Sequence, residues 1–231
     1  MFEVPEYVKQ RCRGDAPREE CIRHLNMAFF SSEIDTLYPS NELFPSDSLF
    51  PADAGAPWLE IDLTQVQVES LILTESLCSS KDIVLGSCEA AKLEITMAEV
   101  EEKLEGKEFA LTLAIGDYKM AFGMYTIDSI VRQADRRMKK ITAYDRMLRF
   151  DINVADWYNA LYPIDKTTHT IKELRDSLCM YCNVPQSFAA LVNDNLVVGK
   201  TISPQTLNGR DVLRAICEIN GVFGHIDRTG Q

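Results

Sequence analysis

Between residues 61 and 141 several runs place apolar side chains at every second position, and this period of two makes β-strands the dominant signal of that stretch. Leu93, Ile95 and Met97 alternate with Lys92, Glu94 and Thr96, and Val66, Val68 and Ser70 alternate with Gln65, Gln67 and Glu69. The runs 109–115 and 119–127 flank Gly116-Asp117, a two-residue hairpin signal, and Lys140-Ile141-Thr142-Ala143 closes the series. Upstream, Ile22, His24, Asn26, Ala28 and Phe30 alternate with Arg23, Leu25, Met27 and Phe29, which reads as a further strand. Antiparallel strands joined by short turns, with edges that must be paired or closed, predict a curled sheet or a small β-barrel.

After Tyr144 the period changes. Thr170-Ile171-Lys172-Glu173 is a capping box, followed by Leu174, Leu178 and Cys182 on one helical face and stopped by Asn183 and Pro185. A second helix starts near Asn208, is expected to bury Val212, Leu213, Ile216 and Ile219, and ends at Asn220-Gly221. Residues 222–226 read as a strand and Asp227-Arg228-Thr229-Gly230 as the turn after it. Because the chain stops at Gln231, where a partner strand should begin, a longer protein truncated at its C-terminus is expected. The predicted class is α+β: an N-terminal arm or helix over 1–20, a β-barrel-like domain over 21–145, and a smaller α/β portion over 146–231.

Residues 37–54 carry three copies of a six-residue repeat: Leu37-Tyr38-Pro39-Ser40-Asn41-Glu42, Leu43-Phe44-Pro45-Ser46-Asp47-Ser48 and Leu49-Phe50-Pro51-Ala52-Asp53-Ala54. Each proline removes a backbone donor and pushes the aromatic residue before it into an extended conformation, so the segment is neither helix nor central strand. A left-handed β-helix turn is the alternative, for which three copies are few. Leucines and aromatics repeated on a loop must be covered, either by the parent domain or by a neighbouring chain. Leu43, Phe44, Leu49 and Phe50 are therefore the candidate interface residues.

Lys plus Arg number 24 against 35 Asp plus Glu, a net charge of −11, which argues against a general nucleic-acid binder because duplex binding needs cations to replace counterions. The charge is uneven. Glu94, Glu99, Glu101, Glu102, Glu105 and Glu108 form an acidic stretch, and Arg132, Arg136, Arg137, Lys139, Lys140, Arg146 and Arg149 a basic strip. These are either solvated faces or complementary faces that meet between copies of the chain. No run has the length of a signal peptide or a membrane span, so synthesis and folding in the cytoplasm are expected. The seven cysteines, odd in number, fit a reducing compartment and read mostly as small buried apolar residues.

Chemistry has little purchase. Cys179 and Cys182 form a CxxC pair, but at the C-terminal end of the predicted helix, where the dipole raises thiol pKa, so packing is favoured over redox or metal roles. His24, His169 and His225 have no neighbouring nucleophile or HExxH arrangement, and no glycine-rich loop joins a strand to a helix. No catalytic, cofactor-binding or metal residues are assigned, and the chain is expected not to be an enzyme.

The stretches Leu73-Thr74-Glu75-Ser76-Leu77-Cys78-Ser79, Leu85-Gly86-Ser87-Cys88-Glu89-Ala90, Lys140-Ile141-Thr142-Ala143-Tyr144-Asp145, Ala155-Asp156-Trp157-Tyr158-Asn159 and Asn208-Gly209-Arg210-Asp211-Val212-Leu213-Arg214-Ala215-Ile216 resemble the N-terminal part of tail hub proteins of tailed phages and prophages. The similarity covers most of residues 20–231, and the chain departs from the family in its hexapeptide loop and in lacking the longer C-terminal region. The resemblance implies a β-rich virion tail subunit that forms a threefold ring, extends the tail tube, contacts distal tail and tail-tip proteins, and leaves a channel through which DNA passes as transient cargo. It implies no membrane partner and no cofactor. Like charge suits a tube lining past which DNA slides, so Glu94, Glu99, Glu101 and Glu102 are expected to face the lumen, with the basic strip turned away or paired with an adjacent subunit. The alternative is a cell-wall-acting or glycan-binding tail-tip module, which hub proteins also carry.

Overall fold

The computed structural model describes residues 6, 9, 13, 23–29, 59–62, 70–79, 82–98, 103–115, 118–134, 138–187 and 189–231. Nine strands are described: β1 Arg23–Phe29, β2 Leu59–Asp62, β3 Ile72–Thr74, β4 Lys92–Ala98, β5 Glu108–Ile115, β6 Tyr118–Arg132, β7 Met138–Asp145, β8 Thr168–Thr170 and β9 Val197–Gly199. The helices are α1 Ala155–Leu161, α2 Ile171–Tyr181 and α3 Gly209–Asn220, with a 3-10 turn at Arg146–Phe150. The chain is α+β, as its periodicities predict.

The first seven strands form one antiparallel half-barrel sheet in the order β2-β1-β5-β6-β7-β4-β3. Its buried face follows the period of two: Met27 and Phe29 on β1, Leu93, Ile95 and Met97 on β4, Tyr125 and Ile127 on β6, Ile141 and Ala143 on β7. Phe29, Phe109 and Tyr125 stand opposite one another in register across β1, β5 and β6, with ring centroids 5.3 and 6.1 Å apart. Burying each ring is worth about 1.5–3 kcal/mol. The β5–β6 ladder slips at Leu111/Thr112, where Leu111 faces Gly123 and Thr112 faces Ala121, leaving Phe122 as the extra residue of a bulge. Gly123 has φ +135°, a backbone conformation that favours glycine, and the Tyr125 hydroxyl closes the bulge by donating to the Phe122 carbonyl at 3.1 Å. The Gly116-Asp117 hairpin residues, the expected strand near residue 66 and nearly all of the N-terminal arm lie outside the described residues; Glu6, Lys9 and Arg13 are helical, and Glu6 lies 3.3 Å from Lys9.

The chain divides into two compact units, residues 1–72 with 93–143, and residues 73–92 with 144–231. The sequence reading divides the chain after residues 20 and 145; in the fold, segment 73–92 groups with residues 144–231. The second unit has its own core, in which Cys88 packs with Met147, Phe150, Trp157, Tyr162, Leu178, Ile216 and Cys217.

Both helices legible in the sequence are present. Thr170 and Glu173 make the reciprocal capping box, Thr170 Oγ1 accepting from Glu173 N at 3.2 Å and Glu173 Oε2 from Thr170 N at 2.9 Å. Leu174, Leu178 and Cys182 are buried as expected, and Asn183, at φ +52°, ends the element. In α3, Leu213 and Ile216 are buried, but Ile219 is 40% exposed and Cys217 takes its place in the core. The buried face is thus Gly209, Leu213, Ile216 and Cys217, a helical stripe rotated away from Ile219. Gly221, at φ +66°, caps the helix. Residues 222–226 do not form the expected strand. They run beside 86–88 with Gly86 N donating to Val222 O at 2.9 Å and Gly224 N to Ser87 O at 3.0 Å, a single bridge too short to continue.

Gly86 carries this contact. At φ +87°, a Cβ there would meet Arg214 O at 2.8 Å and Glu218 Cβ at 2.9 Å. Gly86→Ala is therefore expected to destabilise the protein by more than about 2 kcal/mol. Thr170→Ala, which removes one cap, is expected to cost about 1 kcal/mol. Urea unfolding of the two variants measures both, and equal midpoints would refute the ranking.

Candidate functional site

The candidate surfaces named from sequence divide between described and undescribed residues. Leu43, Phe44, Leu49 and Phe50 lie outside the described residues, as do Glu99, Glu101, Glu102, Arg136 and Arg137. Glu94 and Lys140 are described, on the neighbouring strands β4 and β7. Both alternate with core residues, Glu94 with Leu93 and Ile95 and Lys140 with Ile141, so they stand on the face of the sheet opposite that core. Lys140 Nζ lies 2.7 Å from Glu94 Oε1. One carboxylate of the acidic stretch and one cation of the basic strip thus pair within a single chain. Half-exposed pairs of this kind contribute about 0–1 kcal/mol.

Four of the five stretches that carry the resemblance, and Tyr144-Asp145 of the fifth, lie in the second unit, where polar atoms bind this chain's own backbone and side chains. Arg210, in the first turn of α3, donates to the Asp151 carboxylate, to Met147 O at 3.3 Å and to Cys88 O at 3.5 Å. Asn208 caps the same helix, its Oδ1 accepting from Arg210 N at 2.8 Å. Asn153 Oδ1 accepts from Ala155 N at 3.1 Å and from Leu207 N at 2.9 Å, joining the start of α1 to the approach of α3. Trp157 Nε1 donates to Ser177 Oγ at 2.9 Å, which fixes α1 on α2. Asp145 is buried and accepts from Ala91 N and Met147 N, each at 3.0 Å.

Of the described cysteines, Cys88, Cys179, Cys182 and Cys217 are core residues and Cys78 is half-buried. Burial pushes the Cys179 thiol up to about 12 and the Cys182 thiol up to about 11, so both are protonated at neutral pH and are poor nucleophiles. Among the described residues, no group of three or more His, Cys, Asp or Glu is placed to hold a metal ion, and no helix is long and apolar enough to cross a membrane. His169 Nε2 lies 2.9 Å from Leu161 O, to which it donates, and its ring meets Tyr162 edge-on at 5.0 Å. The pairing that sequence reasoning missed is Cys88 with Cys217, sulfur to sulfur 3.8 Å across 129 positions. Nothing local in the sequence marks it, because only the return of segment 73–92 to the C-terminal residues creates it.

No protein-family model matches the chain, and no curated protein sequence matches it. Among solved structures, the crystal structure of the 43 kDa tail protein of prophage MuSo2 from Shewanella oneidensis is similar at 14% identity and a TM-score of 0.45, over 70% of this chain and 53% of that one. The chain spans about half the length of that protein.

Asp145 sets a pH dependence. Burial pushes its carboxyl up from 3.8 to about 6, against the pull of the Ala91 and Met147 N–H groups and of Arg210, and with a small push from Glu75. The folded pKa exceeds the unfolded one, so its contribution is fully present below pH 4 and is lost as pH rises through 6. That contribution is about 3 kcal/mol at 1.36 kcal/mol per pH unit. Asp145→Asn should remove this decline, so wild type minus variant stability should fall between pH 4 and 7; parallel urea-unfolding curves across that range would refute it.

Proposed function

We propose that the chain is a structural subunit of a phage or prophage tail, a hub that extends the tail tube and joins distal tail and tail-tip proteins around a DNA channel. The observation that carries this reading is the agreement between two independent features. The five resembling stretches imply a β-rich tail subunit, and the chain folds as a half-barrel sheet followed by helices α1 to α3. The placement of Arg210, Asp145, Asn208 and Trp157 supports a non-enzymatic role, since the residues bearing the resemblance spend their polar atoms on holding the fold. Virion tail is the proposed location, after synthesis in the bacterial cytoplasm.

In this reading three copies close a ring. The loop residues Leu43, Phe44, Leu49 and Phe50 anchor it to a neighbour, because desolvated aromatic anchors dominate interface energetics. Glu99, Glu101 and Glu102 line the lumen, where negative charge keeps DNA phosphates from sticking; Glu94 shares its face with Lys140 and is paired to it, so it adds no net charge there.

Sedimentation of the purified chain over a range of concentrations is the test. A trimer is expected, and Phe44→Ser with Phe50→Ser should return it to monomer with an unchanged thermal midpoint. A chain that stays monomeric at every concentration and fails to enter tail particles would overturn the hub reading. A double variant that still forms rings would remove the loop from the interface. Lysis of cell walls or retention on glycan by the purified chain would instead favour a cell-wall-acting or sugar-binding module.

A further inference from the structure

The core of the second unit holds two thiols in contact. Cys88 is fully buried and Cys217 nearly so, and their sulfurs are 3.8 Å apart. Gly224 explains how they come so close: a Cβ there would meet Cys88 Sγ at 2.5 Å and Cys217 Sγ at 3.3 Å, so only a glycine lets the backbone lie over both sulfurs. Cys88 belongs to segment 73–92 and Cys217 to 144–231, the two chain pieces that make this unit. Each sulfur is therefore fixed to a different piece, and residues 93–143 connect them through the other unit.

We propose that Cys88 and Cys217 form a reversible dithiol lock: oxidation by hydrogen peroxide joins them in a disulfide that ties the two pieces of the second unit together.

The pair is asymmetric in the sense the chemistry needs. The hydrogen bond between the two sulfurs, with the Gly224 N–H and the charges of Arg214 and Arg210, lowers the Cys88 pKa from its ordinary value against the burial that raises it, while the same bond pushes Cys217 up. Cys88 is the attacking sulfur and Cys217 the resolving one. The Cys88 thiolate attacks one peroxide oxygen, the O–O bond breaks, and the departing hydroxide takes up a proton, leaving Cys88 as a sulfenic acid and one water. Cys217 sulfur then attacks Cys88 sulfur, the S–O bond breaks, and the leaving oxygen departs as a second water with the Cys217 thiol proton. Two thiols and one peroxide give one disulfide and two waters. Peroxide is small and uncharged, so it enters through local opening of the core, and the oxidation rate follows the frequency of that opening.

The test uses the full chain. The folded protein is exposed to hydrogen peroxide, free thiols are alkylated, and the digested peptides are mapped by mass spectrometry, with thermal unfolding recorded before and after. A peptide pair joining Cys88 to Cys217 is expected, together with a rise of several degrees in the thermal midpoint, and a dithiol reductant should reverse both. Cys88→Ala and Cys217→Ala should each lose the cross-link and the rise. Should either variant fail to fold, the wild-type peptide map decides alone. A bond from Cys217 to Cys179, sulfinic acids without a cross-link, or two intact thiols after a peroxide exposure that oxidises the urea-unfolded chain would each overturn the lock.

Discussion

Residues 86–88 lie so close to α3 and the chain beyond it that a side chain at position 86 or 224 would collide, with Arg214 O at 2.8 Å in the first case and Cys88 Sγ at 2.5 Å in the second. Two backbone hydrogen bonds, from Gly86 to Val222 and from Gly224 to Ser87, hold the approach. This contact gives the core of the second unit its Cys88, which packs with Cys217 of α3. Loop-closure entropy does not forbid such a long return, since each doubling of the loop costs only about 0.6 kcal/mol more. Burial of a few apolar side chains offsets that easily.

Around this contact most polar groups find partners, though Glu89 Oε1 and Arg210 Nε make no hydrogen bond. Arg210 reaches three carbonyl or carboxylate groups from one guanidinium, a fork geometry that Lys could not supply. Arg175 and Asp194, exposed by only 12% and 7%, pair at 3.2 Å and tie the turn after residue 190 to α2. Such a pair adds little net stability, because desolvating both ions takes back most of the Coulomb gain, but removing one partner strands the other. Asp145 shows the same balance from the other side: two backbone N–H groups and a nearby arginine are insufficient to offset burial of its carboxyl, so the fold tolerates a proton there.

What the sequence made legible follows from which signals are local. The capping box at Thr170 and the alternation of Leu93, Ile95 and Met97 are written within a few residues, and both fold as read. Helix α1 has no such signal: Val154, which precedes its seven residues, makes no side-chain cap, and its aromatic residues Trp157 and Tyr158 give no stripe to count. Ile219 was misassigned because, on α3, Ile219 and Cys217 are equally apolar by composition, and only the position of Cys88 decides which of them turns inward. The Cys88–Cys217 contact and the company of segment 73–92 were unreadable for the same reason. Of the residues expected to face the lumen or anchor a neighbour, Glu94 alone is described, and its pairing with Lys140 depends on β4 lying beside β7, a neighbour relation 46 positions apart that no local pattern encodes.

Magnitudes then decide where the weight of the proposed ring rests. Charge complementarity between an acidic and a basic face is screened beyond roughly 8 Å at physiological salt. One member of each face, Glu94 and Lys140, is already neutralised within the chain. Each remaining exposed pair contributes about 0–1 kcal/mol. A buried phenylalanine or leucine contributes about 1.5–3 kcal/mol, and the hexapeptide loop offers Leu43, Phe44, Leu49 and Phe50 within eight positions. In the proposed ring, ion pairs between copies would therefore set register and encounter rate, while the hexapeptide segment would supply the affinity. Assembly of this kind persists in salt that dissolves a charge-driven ring.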